Sequence, residues 1–264
     1  MKKARQEKVP KFFIPPEDFF SDRAIIRGKD ARHIFRVLRL QANDEIVVNC
    51  QGRDLAARIE AVSPSEVRLR IIACLSSSFQ NKHPLILIQG IPKHSTMDLI
   101  LQKATELGVN EIMPLASSRS FVNEQGSVSE GRWQRWQKIC QEAAKQCGRS
   151  DIPKLYPPAN LSTVCLKVAE EKNALLLILW EREQKNHLKS ILASWREGRG
   201  GRAGDKIFIL VGPEGSLSGD EIQLVEEAGF IPVSCAPWIL RTETAALYAL
   251  AIIQYEFNFG PQEG

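Results

Sequence analysis

At 264 residues, 44% hydrophobic and 25% charged, the chain can fill the core of one large domain or of a small one and a medium one. Its longest apolar run, ALLLILW at 174–180, is far short of the roughly 20 residues of a membrane span, and MKKARQEKVPKFF carries no apolar signal core, so a soluble, cytoplasmic protein is expected. Six scattered cysteines without a C-x-x-C pair, with only four histidines, argue against both a zinc site and a disulfide framework; no metal is expected.

The net charge of +4 is unevenly placed. Residues 1–40 hold eleven Lys/Arg against five Asp/Glu, a surplus of +6 that leaves −2 for the remainder. A basic arm beside short strands is what phosphate backbones attract; for residues 1–10 a solvated tail explains the charge equally well. From Phe12 to about Ile72, DEIVVNC, DLAARIEAVS and EVRLRII alternate apolar and polar residues between turn formers such as Gln51-Gly52 and Ser63-Pro64, which predicts a small β-barrel-like domain. DARHIFRVLRL interrupts it as a helical patch. At helical spacing Ile34, Val37, Leu38 and Leu40 face inward, and Arg32, Arg36 and Arg39 lie largely on the other side, either lining a polyanion or forming plain solvated surface.

CLSSSFQNKHP has the serine-rich, proline-ended look of a linker, placed at 75–83 between a domain at 1–74 and one at 84–264. Beyond it, the apolar runs LILIQGI, ALLLILW, KIFILVG and FIPVSCA alternate with helical stretches such as TMDLILQKATELGV and RWQRWQKICQEAAKQCG. That rhythm predicts an α/β domain with buried parallel strands and crossover helices. In the second helical stretch Trp133, Trp136, Cys140, Ala143 and Cys147 share a face, read as packing.

FILVGPEGSLSGDEI then reads as strand, turn and helix: Ile207 to Val211 apolar, Gly212, Pro213 and Gly215 in a tight turn, Ser218-Gly219-Asp220-Glu221 a capping box, and Gly229 the stop. Open α/β sheets place ligands at such carboxyl ends. Neither G-x-x-x-x-G-K-[ST] nor G-x-G-x-x-G is present, and Glu214 would repel a pyrophosphate. A cationic cofactor without phosphate, S-adenosylmethionine, suits the turn better; a purely structural left-handed turn with an exposed glutamate is the competing reading. CAPWILRTETAALYALAIIQYEF follows, with an extended turn at Pro237 and a helix capped by Thr242 or Thr244. The helix is apolar on nearly every side, so core, sheet or a second subunit should cover it. Arg241, just before the helix, is suited to an anionic or carbonyl-rich substrate.

At these residues the sequence resembles the RsmE-type ribosomal RNA small-subunit methyltransferases of the SPOUT superfamily. HIFRVLRL is similar to that family's PUA-like domain, and QKATELGVNEIMPL, EAAKQCGRSDIP, VGPEGSLSGDEI and ILRTETAALYAL occur in the family's order over almost the whole chain. The resemblance implies a deep trefoil knot, a homodimer, and methyl transfer from S-adenosylmethionine to N3 of a uridine in small-subunit ribosomal RNA. Carried over by position, it implies cofactor loops at Leu179, Trp180 and Glu181; at Val211, Gly212, Pro213, Glu214 and Gly215; and at Cys235, Ala236, Trp238, Ile239 and Leu240, with Thr242 close by. Arg119, Arg149 and Arg241 would contact RNA or uracil, and Arg36 and Arg39 the phosphate backbone.

The family usually has Leu-Gly-x-Arg where this chain has Cys235-Ala236-Pro237-Trp238. If that glycine has positive φ, Ala236 costs about 1 kcal/mol. Trp238 replaces a cation with an aromatic face. Methylating uracil N3 requires loss of its proton and stabilisation of charge on O2 and O4, which would fall to Arg241 as the cation and to Glu243, or a water it positions, as the acceptor. A structural ion pair between those two is the alternative. Ribose 2′-O-methylation, or an RNA-binding ribosome-assembly factor without catalysis, also stays open; cofactor binding would separate the last from an enzyme.

Overall fold

The structure is a computed structural model and describes residues 9–75, 81–93, 95–120, 127–198 and 202–258. Residues 1–8 of the basic N-terminal stretch and residues 76–80 of the predicted linker lie outside those residues. Two compact units divide the chain: residues up to 80 together with Ala144–Ile152, and Asn81–Ala143 together with residues from Pro153 onward.

The first unit is a curled six-stranded sheet. In chain order it contains β1 (Lys11–Phe13), a single 3-10 turn (Pro16–Asp18), β2 (Phe19–Phe20), β3 (Arg23–Arg27), α1 (Gly28–His33), a π turn (Ile34–Leu38), β4 (Glu45–Cys50), β5 (Arg53–Val62) and β6 (Glu66–Cys74). The strands are ordered β1-β4-β5-β6-β3-β2. Alternation puts one face of each long strand inside, so Ile46, Val48, Leu55, Ala57, Ile59, Val67 and Leu69 share a core with Phe12, Ile26 and Ile34. Gln51 and Gly52 both have positive φ, 51° and 78°, which joins β4 to β5 in the turn that suits the strands' twist.

The helical patch departs from its predicted faces. Only Ile34 is fully buried and Leu40 packs partly against the core, whereas Val37 and Leu38 are exposed. The cause is the π turn: its wider spacing abandons the i, i+3, i+4 register on which the inward face was predicted. Also in this unit, Asp54 accepts hydrogen bonds from Lys11 Nζ (2.7 Å), Ser150 Oγ (2.5 Å) and Asn49 Nδ2 (2.6 Å). Burial, the largest single influence, pushes the Asp54 carboxyl up, but these donors together outweigh it and hold it below the ordinary value. Arg149 lies on the segment so anchored and pairs with Asp151 at 2.6 Å.

The second unit continues with β7 (Leu85–Gly90), α2 (Thr96–Glu106), β8 (Glu111–Ala116), α3 (Glu130–Cys147, its last turn grouped with the first unit), β9 (Lys154–Leu155), β10 (Ala159–Asn160), α4 (Leu161–Ala169), β11 (Leu175–Leu179), α5 (Leu188–Glu197), β12 (Ile207–Val211), α6 (Gly219–Glu227), β13 (Ile231–Val233), α7 (Thr242–Ile253) and a closing π turn (Gln254–Asn258). Every pairing in its sheet is parallel, in the order β10-β8-β7-β12-β11-β13, with β9 also on β8. Both faces are covered, by α2, α3, α5 and α7 on one side and by α4 and α6 on the other. That is why β12 and the first four residues of β7 are uninterrupted apolar runs rather than alternating ones. Trp136 and Cys140 are buried on the first of these faces, as the packing reading of the tryptophans expected.

Candidate active site

Parallel pairing puts all strand carboxyl ends on one edge, and here the register makes the edge a straight row. Gln89 pairs with Val211, Val211 with Leu179, and Leu179 with Val233. Three loops therefore leave side by side from β11, β12 and β13, the position in which open α/β sheets hold ligands. Leu179, Trp180 and Glu181 lie on the first, Val211, Gly212, Pro213, Glu214 and Gly215 on the second, and Cys235, Ala236, Trp238, Ile239 and Leu240 on the third.

The third loop is pinned at its far end by Thr242. The Thr242 Oγ1 hydroxyl donates to the Gly212 carbonyl at 2.6 Å and accepts from Gln89 Nε2 at 2.9 Å. The segment that starts at β13, on the sheet's edge, thus ends over β12 and β7, having passed the carboxyl end of β11 between them. Gln89 is fully buried, and its Oε1 has no hydrogen-bond partner among the described residues. The capping prediction is corrected here: neither Thr242 nor Thr244 is the N-cap of α7. Arg241 holds that position without a side-chain cap bond, because the Thr242 hydroxyl is engaged with β12 and β7 instead.

The glycines of the second loop serve close approach rather than a left-handed backbone. The left-handed residue is Ser216 (φ 59°), whose N–H donates to the Pro213 carbonyl at 2.8 Å and whose hydroxyl donates to Glu181 at 2.8 Å. A Cβ on Gly212 would stand 3.3 Å from the Ser216 backbone, and one on Gly90 only 2.5 Å from Pro213, so the loop could not settle onto β7. Glu214 accepts the Lys93 N–H at 3.0 Å, latching the loop to the chain that follows β7. Arg119 Nη1 donates to the Gly215 carbonyl at 2.6 Å.

The predicted capping box of α6 forms, and Glu221 also accepts from Ser118 N–H (2.8 Å) and Oγ (3.0 Å). Burial is the strongest influence on Glu221 and raises it, but the Ser118 and Ser218 donors together hold it below the ordinary range. Ala236 has no positive φ, so the strain considered for it does not arise. Trp238 and Ile239 are 76% and 83% exposed. Arg241 is exposed and Glu243 half-buried, and no ion pair joins them among the described residues.

An RNA methyltransferase domain family matches residues 80–254, and an RNA methyltransferase PUA domain family matches residues 26–72. The chain belongs to the RNA methyltransferase family. Among similar proteins, this methyltransferase is 28% identical over 236 residues to Ribosomal RNA small subunit methyltransferase E of Bacillus subtilis, 88% of this chain and 89% of that one. A crystal structure of Ribosomal RNA small subunit methyltransferase E from Neisseria gonorrhoeae, bound to S-adenosyl methionine, superposes with a TM-score of 0.80 at 28% identity, covering 96% of this chain and 100% of the other. A putative methyltransferase from Legionella pneumophila, in complex with the bound cofactor SAM, gives 0.76 at 30% identity over 94% and 98%.

Within this methyltransferase, Arg36, Arg39 and Arg149 belong to the first unit, Arg119 and Arg241 to the second. Sequence reasoning missed Gln89 and the Lys93 N–H. The one available signal for Gln89 was a polar residue closing the otherwise apolar run LILIQG. No helix of the described residues is long and apolar enough to cross a membrane, and no group of three or more His, Cys, Asp and Glu among them could hold a metal ion.

Proposed function

We propose that this methyltransferase moves a methyl group from S-adenosylmethionine to N3 of a specific uridine in small-subunit ribosomal RNA, acting as a cytoplasmic homodimer on the RNA or the assembled small subunit. The observation that carries the reading is the row Gln89–Val211–Leu179–Val233, from which three loops open onto one edge. The residues present fit the cofactor. Backbone groups of 179–181, 211–215 and 235–240 offer donors and acceptors for a ribose and an amino acid. The Glu181 and Glu214 carboxylates at the rim suit a cation and oppose a polyphosphate, and exposed Trp238 and Ile239 supply apolar cover for a purine. When bound, the cofactor would supply an electrophilic methyl group, its sulfonium S–C bond breaking to leave a neutral thioether.

The chain's own part is to make uracil N3 a nucleophile. Glu243, or a water it holds, takes the N3 proton as the new N–C bond forms. Arg241 hydrogen-bonds the O2 or O4 on which negative charge develops. Thr242 positions both by fixing the first turn of α7 to Gly212 and Gln89. Arg119 and Arg149 would contact the RNA, and Arg36 and Arg39 its backbone.

The path of 234–241 from the edge strand to β12 supports a threaded, knotted chain. For the dimer, the support is an open stripe on α7, made of Thr244, Tyr248, Ala251 and Tyr255. The decisive assay incubates purified protein with labelled methyl donor and unmodified small subunits, then digests the RNA for nucleoside mass spectrometry. Label at N3 of uridine is expected. Label on a ribose oxygen would replace this reading with 2′-O-methylation, and no label with no cofactor binding would leave an RNA-binding assembly factor.

A further inference from the structure

The π turn of the first unit carries exposed apolar side chains that the functional reading does not use. Phe35, Val37 and Leu38 are 41%, 65% and 37% exposed, and they stand on the same turn as exposed Arg36 and Arg39, with exposed Arg32 and His33 just before it. The chain reverses immediately afterwards, at left-handed Arg39 (φ 54°), with Leu40 N–H returning to the Ile34 carbonyl at 3.2 Å. The knuckle is thus short, closed and held from beneath by buried Ile34.

Its charge has one sign. No Asp or Glu occurs from Ala31 to Asn43. The flanking acids are engaged elsewhere, Asp30 with Lys145 (3.0 Å) and Asp44 with the Gln41 N–H (2.7 Å). Arg36 and Arg39 have no acidic partner among the described residues. A single exposed apolar side chain needs no explanation, but three together, interleaved with unpaired guanidinium groups, have the composition of a binding surface. The complementary ligand carries negative charge at regular intervals and a flat apolar face between the charges. An unstacked stretch of RNA has both: phosphates for the arginines and a base for the ring.

We propose that Phe35, flanked by Val37 and Leu38, is a stacking platform for an unpaired RNA base other than the target uridine, with Arg36 and Arg39 holding the adjoining phosphates. This rests on RNA being the substrate and adds a base contact to the phosphate contacts assigned to the first unit. The two contact types have different physical signatures. A phosphate contact releases counterions, and losing one changes the slope of log affinity against log salt by about 0.7–0.9. A stacking contact leaves that slope alone.

The test measures binding of unmodified small-subunit rRNA, both as a transcript and in assembled small subunits, to wild-type, Phe35→Ala, Phe35→Tyr and Arg36→Ala proteins across a salt series. Cofactor affinity and unfolding midpoint are recorded for each. Phe35→Ala should weaken RNA binding by roughly 5- to 150-fold at every salt concentration with an unchanged slope, as expected for one stacked base. Phe35→Tyr should restore it, Arg36→Ala should flatten the slope by about one phosphate, and cofactor affinity and midpoint should not move. The platform is overturned if Phe35→Ala binds like a wild-type protein that itself binds and methylates, or if its loss comes with a changed slope. It is equally overturned if the variant alters the sedimentation mass, which would make the knuckle a contact between protein copies. Binding without methyl transfer by the wild type would sink the functional reading and leave the platform standing; no RNA binding at all would sink both.

Discussion

Thr242 shows how much of this site rests on single atoms. Its hydroxyl is donor to one strand's loop and acceptor from the side chain of a neighbouring strand. Thr242→Val keeps the shape and removes both bonds, leaving the Gly212 carbonyl without its hydroxyl donor and the buried Gln89 amide without its hydroxyl acceptor. An expected cost of about 1–3 kcal/mol in unfolding free energy follows, with weaker cofactor binding because the third loop loses its far anchor. Thr242→Ser should recover most of both, read by denaturant unfolding and calorimetry. Arg241 is the opposite case. Exposed and without an acidic partner among the described residues, it does little for the fold. Arg241→Ala should shift stability by no more than about 0.5 kcal/mol. If it stabilises the uracil anion, turnover should fall about a hundredfold or more with cofactor affinity unchanged. Full methylation by this variant would remove Arg241 from the chemistry.

At the scale of elements, what was legible in the sequence was local. Strand β12 announces itself because a strand covered on both faces has no polar side, and the start of α6 because Ser218 and Glu221 cap it reciprocally. The anchors of the site left no such trace. Gln89 and Thr242 lie 153 residues apart, and Lys93 and Glu214 lie 121 apart, separations that no periodicity spans. The knuckle at 34–38 failed for another reason: the residues have helical spacing, but the backbone there is not α-helical. A second long-range cluster carries a pH prediction. His83, just before β7, packs edge-on against Trp195 of α5 (4.9 Å) and Phe257 of the closing π turn (5.5 Å), with Nδ1 3.1 Å from the Asp205 carbonyl. Burial lowers its pKa, Lys82 adds to that, and Asp205 opposes it. The fold therefore favours neutral His83, and its contribution is whole above the unfolded value of about 6.5 and lost as pH falls from there through the folded value. Thermal midpoints should drop on acidification below about pH 6.5. His83→Asn, which cannot titrate, should be less stable at neutral pH yet lose less on acidification, so an unchanged acid slope would clear His83 of the effect.

For the whole molecule the open side of α7 decides the most. Its inward face, Ala245, Ala246, Ala249, Leu250 and Ile253, is buried in the chain itself, while Thr244, Tyr248, Ala251 and Tyr255 remain accessible at spacings of 4, 3 and 4 residues along the opposite side. The helix is apolar all round yet covered on one side only, which is the condition a second copy relieves. A twofold interface presents the same stripe to itself, so one substitution acts twice. Ala251→Asp would set two carboxylates into that contact and touch no buried residue of the single chain. The wild type is expected to sediment as a dimer and Ala251→Asp as a monomer with an unchanged circular dichroism spectrum. Cofactor affinity should fall in parallel if exposed Trp238 and Ile239, on the third loop, are also covered in the dimer, and adding protein should restore it. A variant that stays dimeric would move the contact off α7, whereas a monomeric one that binds cofactor normally would show that each chain completes its own site.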